Sequence, residues 1–194
     1  MRMSGFARRE QLVAVGRKTF ASKGFDGTSG EEIASQAKIS KPVIYEHFGG
    51  KEGLYAVIVD REVHALMSAL EAALDSQKRP RMILEDSALA LLSYIESNSD
   101  GFRILVRDAP QNSTSGSFSS LMGDIAIKVE HLLANQFSQA NMSPKWAPLY
   151  AQMLVGLIAQ VGQWWLDERR MSKEDVASHV VNLVWNGMRN LRPS

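Results

Sequence analysis

The chain has 194 residues, enough for one or two compact units, and its 45% apolar and 22% charged residues are those of a globular protein, which excludes disorder as the main theme. Cysteine is absent, so a disulfide framework, a thiolate metal site and a cysteine nucleophile are excluded, and a reducing cytoplasm is the expected compartment. The net charge of +1 is uneven: residues 1–51 hold 9 Lys/Arg against 5 Asp/Glu and residues 52–194 hold 13 against 16, which places an anionic partner at the N-terminal quarter.

Nearly every segment repeats its apolar residues at helical spacing, and no β-branched run alternates, so the expected fold class is all-α with nine helices. No basic flank, apolar run and small-residue cleavage site occur together near the start, so no signal peptide is expected, and the glycosylation patterns at Asn112 and Asn141 carry no meaning without one. The first helix runs from about Arg8 to Lys23 on Leu12, Val13, Val15, Gly16, Thr19 and Phe20, and stops at Lys23-Gly24. Thr28 or Ser29 caps a second, short helix whose first turn carries Glu31 and Glu32 and whose inner face is Ile33, Ala34 and Ala37. Ser40 caps a third with Pro42 in its first turn, and Gly49-Gly50 ends it.

A long fourth helix is predicted from Lys51 to about Ser76 and a fifth from Pro80 to Ser97. Ser97 to Gly101 reads as a break, Phe102 to Arg107 as a short sixth helix, and Ala109 to Ser117 as a polar loop. The seventh runs from Phe118 to about Gln139. The eighth, capped by Asn141 to Pro144, extends to about Glu168, and the ninth, capped by Ser172, to about Leu191. Leu149 to Leu166 approaches membrane length, but Gln152, Gln160 and Gln163 interrupt it, so a soluble helix with a buried partner is the reading.

Residues Glu31 to Phe48 read as helix, tight turn, helix. Ile33/Ala37 and Ile44/Phe48 are each four apart and turn one face of each helix to a shared small core. The second of these helices leaves Lys41, Val43, Tyr45, Glu46 and His47 for solvent or ligand, the layout of a helix that enters the major groove of DNA. Lys41 and Lys51 suit phosphates, Tyr45 can donate its hydroxyl to one, and Val43 can lie against a thymine methyl. The candidate DNA-binding set read from this segment is Ser40, Lys41, Pro42, Val43, Tyr45, His47 and Lys51. The competing readings are a half-buried Tyr45 covering the first helix, a plain surface His47, a solvated Lys51, and Arg2, Arg8 and Arg9 as either a basic arm or a solvated start.

At Gly24-Phe25-Asp26-Gly27-Thr28-Ser29, Glu32-Ile33-Ala34, Ala37, Ile39-Ser40-Lys41, Ile44-Tyr45-Glu46-His47-Phe48 and Lys51-Glu52-Gly53-Leu54 the sequence resembles the tetracycline-repressor family of bacterial transcription regulators. The resemblance implies a helix-turn-helix domain over residues 1–50, an effector-binding and dimerisation domain over 51–194, and a cytoplasmic regulator, in this family usually a repressor. It further implies phosphate contacts by Thr28, Tyr45, His47 and Lys51, and base contacts by Lys41 and Val43. The chain departs from the family at Pro42 and Val43, where Gly and Thr are usual, so an apolar contact replaces the family's hydroxyl contact at Val43.

The eighth and ninth helices carry more apolar surface than one face can bury. A two-fold dimer is expected to cover Leu157, Val161, Trp164, Val180, Val184, Gly187 and Met188, with Gly156, Gly162 and Gly187 allowing close approach; burial of both faces inside one chain is the alternative. Two reading heads on such a dimer need a palindromic operator with half-sites one turn, roughly 34–36 Å, apart or wider. Candidate residues for a small apolar effector are Leu70, Leu92, Ile95, Phe102, Leu105, Leu121, Met122, Ile125, Trp146 and Met153, with Arg103 and Arg107 for an anionic group at the mouth; the competing readings, favoured for the apolar members by sequence alone, are a plain core and, for the arginines, a surface pair with Asp100 or Asp108. The chain beyond residue 50 looks similar to actinobacterial regulators of fatty-acid biosynthesis, which implies an acyl-coenzyme A effector. A ligand among the fourth to eighth helices would tilt the fourth and change the spacing of the heads.

No enzyme is expected: the four histidines are scattered, and no His-x-x-x-His, Gly-x-Ser-x-Gly or phosphate-loop spacing occurs. No cofactor and no metal are expected. A helical protein-binding module without nucleic acid is the competing class, and steep salt dependence of DNA binding separates the two.

Overall fold

The structure, a computed structural model, describes residues 3–74, 77–107 and 118–189. Among these, nine α-helices and one 3-10 turn account for the regular structure, with no strand: α1 Gly5–Lys23, α2 Gly30–Gln36, α3 Lys41–Phe48, α4 Lys51–Glu71, α5 Pro80–Ser97, α6 Ser99–Val106, α7 Phe118–Gln139, the 3-10 turn Pro144–Trp146, α8 Ala147–Glu168 and α9 Lys173–Arg189. The polar loop predicted over Ala109 to Ser117, Arg2, and the end of the ninth helix at Leu191 lie outside the described residues. No helix among the described residues is long and apolar enough to cross a membrane.

The caps follow elementary rules. Ser4 accepts the Ala7 N–H and starts α1 a turn before the apolar pattern does, and Gly24 at φ 76° ends it. Ser29 caps α2 by accepting the Glu32 N–H. Ser40 holds the N-cap position of α3 without a side-chain cap bond, and Gly49 closes that helix in the left-handed region at φ 74°. Between α5 and α6 the chain does not break over five residues: Asn98 alone separates them, its carbonyl accepting the Phe102 N–H at 2.9 Å.

The chain forms two compact units, residues 1–65 with 98–118, and residues 66–97 with 119–194. In the first, α1 packs on α2 and α6, and α2 on α3. Its core is Leu12, Phe20, Ile33, Ile44, Leu54, Ile58, Phe102 and Ile104, all at most 2% exposed. Each such side chain contributes roughly 1.5–3 kcal/mol by leaving water. Phe20, Phe25 and Tyr55 form an aromatic triangle with Tyr55 edge-on to both, at 5.0 and 4.9 Å between centroids. Burial there raises the Tyr55 pKa, because the phenolate would be poorly solvated. An ion pair also lies inside this unit: Arg17 donates to Glu62 at 2.6 Å, Asn98 accepts from Arg17 at 3.4 Å, and Glu62 is 8% exposed.

In the second unit α5 packs on α8 and α9. Gly162 of α8 faces α5: a Cβ there would stand 2.9 Å from Ile95 Cδ1. Arg169 ends α8 at φ 39° and donates to the Ile95 carbonyl at 2.8 Å. Leu133 and Phe137 of α7 pack with Ala147 and Ala151 of α8 in a second apolar cluster.

Candidate nucleic-acid interface and effector cavity

The third helix fully buries one side chain and exposes most of the others. Ile44 is 1% exposed, which fixes the rotation of α3, so that Ser40, Lys41, Pro42, Tyr45 and Glu46 are exposed and Val43 and His47 half-buried. Tyr45, at 55% exposure, stands out from its own unit and does not cover α1. The Lys41 ammonium pairs with the Glu31 carboxylate of α2, which lowers the Glu31 pKa and raises that of Lys41 through their mutual hydrogen bond. Both groups are exposed, so the pair holds Lys41 weakly and a phosphate or base edge can replace the carboxylate. The Ser40 hydroxyl, unused for capping, sits beside it. An α-helix with side chains is about 10–12 Å across and the major groove about 12 Å wide, so an exposed α3 face can enter it.

Three basic or polar residues serve the fold instead. Thr28 is 3% exposed, and its hydroxyl donates to the Gly24 carbonyl at 2.7 Å; its side chain does not reach out for phosphate, and Ser29 supplies the cap. Lys51 is half-buried: its ammonium donates to the Phe25 and Thr28 carbonyls, each at 3.1 Å, and lies 3.9 Å from the Phe25 ring centroid. The unfavourable placement of a lysine at the start of α4 is thus compensated by two carbonyls of the α1–α2 loop. Arg9 donates to the His47 carbonyl at 2.5 Å and stacks over Phe48 at 4.3 Å, so it staples α1 to the end of α3 rather than forming a free arm.

The second unit contains an apolar cavity of about 140 Å³. Leu70 of α4, Met122 and Ile125 of α7, three residues expected for an effector, line it. The stripe Pro80, Ile83, Leu84, Ser87 and Leu91 of α5 supplies another wall, at the three- and four-residue spacing of one helix face. Leu154 and Ile158 of α8 and Trp185 and Met188 of α9 contribute further. The other expected residues lie elsewhere. Leu92, Ile95 and Leu121 are buried at 3%, 0% and 2% without lining it, and Trp146 and Met153 are exposed. Phe102 and Leu105 belong to the core of the first unit, where Arg103 is half-buried and Arg107 donates to the Phe20 carbonyl at 3.4 Å. Met188, expected at a dimer interface, also lines the cavity. Ser87 and Trp185 carry no motif of their own; the α5 stripe is the one sequence signal that points to Ser87.

The last two helices do expose an unpartnered face. Leu149, Met153, Gly156 and Trp164 fall on one exposed line of α8, and Leu183, at 69% exposure, and Gly187 are exposed on α9. Nothing lies within 4 Å of where a Cβ would stand at Gly156 or Gly187. Leu157 and Val161 are half-buried, whereas Val180 and Val184, at 9% and 8%, are spent on the chain's own core, as is Gly162.

Residues 12–58 match the family described as bacterial regulatory proteins, tetR family, and residues 69–192 the tetracyclin repressor-like C-terminal domain. The chain is similar to the HTH-type transcriptional activator FasR of Mycolicibacterium smegmatis, 26% identical over 93% of this chain and 83% of that one. A TetR-like transcriptional regulator from Rhodococcus sp. RHA1 superposes with a TM-score of 0.82 at 27% identity over 98% of this chain and 100% of the other. AibR, solved in complex with isovaleryl coenzyme A and operator DNA, shares the fold at a TM-score of 0.73 and 18% identity over 91% of this chain and 97% of its own.

Proposed function

Because the chain belongs to the tetR family of bacterial regulatory proteins, we propose that it is a ligand-responsive transcription regulator that binds a palindromic operator as a homodimer in the cytoplasm. The observation that carries this reading is the orientation of α3. Its only fully buried side chain is Ile44, and Ser40, Lys41 and Tyr45 stand on the outward face. Lys41, released from Glu31, meets a phosphate or a guanine edge; Tyr45 donates to phosphate; Val43 and the Pro42 ring offer apolar contact to a thymine methyl. His47 flanks them at the end of the helix.

Tyr45→Ala is expected to weaken operator binding about tenfold while dimer mass and helical content stay unchanged, since an exposed ring contributes little to the fold. Operator sequences come from selection out of a random DNA pool, and a recovered palindrome is the expected product. Unchanged affinity in Tyr45→Ala would remove α3 as the reading element.

The exposed line on α8 and α9 is the surface proposed for the second subunit, with Trp164 and Leu183 at its centre and Gly156 and Gly187 admitting close helix approach. Leu183→Glu together with Trp164→Glu is expected to halve the sedimenting mass and to abolish tight operator binding, because a charge cannot be buried unpaired in an apolar contact. A variant that sediments like the wild type would place the dimer contact elsewhere. Effector bound in the second unit is proposed to change operator affinity by roughly 5–150-fold, the usual range of coupling between two sites.

A further inference from the structure

The lining of the second unit's cavity restricts the chemistry of its occupant. Among the described residues, Ser87 and Gln136 are the only lining residues with polar side chains besides the indole of Trp185, and none of the described lining residues is Lys, Arg, His, Asp or Glu. The Ser87 hydroxyl is buried and has no hydrogen-bond partner, and no other described side-chain nitrogen or oxygen is in that position. A serine inside a helix ordinarily satisfies itself on the carbonyl four residues back; this one does not, and it occupies the middle of the α5 face otherwise made of Pro80, Ile83, Leu84 and Leu91.

Resting on the ligand-responsive reading above, we propose that the effector is an uncharged, chiefly apolar molecule with one oxygen acceptor, an alcohol, ketone or ester, that takes the Ser87 hydroxyl proton as a hydrogen bond. A carboxylate or phosphate placed here would lose its hydration with no cation among the described lining residues to offset the loss, so a charged group stays outside the cavity. The hydroxyl therefore selects for oxygen while the surrounding wall selects against charge.

The test uses the full chain and linear probes of six to twelve carbons: alkanes, 2-alkanones and alkanoates, followed by titration calorimetry at neutral pH. A 2-alkanone is expected to bind, the matching alkanoate at least tenfold more weakly. Ser87→Ala is expected to weaken the ketone about five- to tenfold and leave the alkane unchanged. That variant is also expected to melt no lower than the wild type, because removing an unpaired hydroxyl costs the fold nothing. An alkanoate binding as tightly as its ketone, a ketone-to-alkane ratio unmoved by Ser87→Ala, a lowered melting temperature in that variant, or no binding by any ketone would each overturn the assignment. Operator DNA titrated with and without saturating ketone tests the reading beneath it: a ketone that binds through Ser87 and leaves DNA affinity unchanged would overturn ligand-responsiveness and spare the cavity assignment.

Discussion

Gly101→Ala is expected to destabilise the first unit by about 3 kcal/mol. A Cβ at this position in α6 would stand 1.9 Å from Glu62 Oε2 and 2.7 Å from an Arg17 guanidinium nitrogen. Neither neighbour yields cheaply. Glu62 is buried, and its carboxylate is held at 2.6 Å by Arg17, so making room means separating a desolvated ion pair or withdrawing α6 from α1. For a chain of this size 3 kcal/mol corresponds to a fall in melting temperature of roughly 6–12 °C. Thermal unfolding followed by circular dichroism checks it, and a melting temperature equal to the wild type's would show that α6 is not seated on this pair.

Lys51→Ala is expected to cost about 2–3 kcal/mol by removing two charge-assisted bonds and a cation–π contact from a half-buried ammonium. The loss falls on the loop between α1 and α2, so hydrogen exchange should rise at residues 25–32. Operator binding should weaken as well, yet with an unchanged dependence on salt. A lysine that neutralises a phosphate would instead lower the salt slope by about 1 on removal. The slope therefore separates the two roles: a fall of one unit would return Lys51 to the DNA surface.

Helix-period patterning sufficed to place α5 and α7 at their observed ends, and the outward face of α3 followed from Ile44 being the apolar residue paired with Phe48. Two misreadings share a cause. Gly101 reads as a helix breaker because glycine is a poor helix former, but it lies inside α6, where the absence of a side chain admits Glu62. Lys51 reads as a free cation because its partners are backbone carbonyls more than twenty residues away, which no local pattern reveals. The cavity was legible only in part for a different reason. Periodicity shows that Phe102, Leu105, Leu92 and Ile95 turn inward, but it does not distinguish two apolar interiors, or a filled one from one with space left in it. The structure assigns Phe102 and Leu105 to the first unit and packs Leu92 and Ile95 solid, leaving the space beside Ser87.

Helix α4 runs unbroken from Lys51 to Glu71, while the border between the two compact units falls at residue 65. One helix therefore supplies residues to both units: Lys51, its first residue, holds the α1–α2 loop, and Leu70, near its last, borders the cavity.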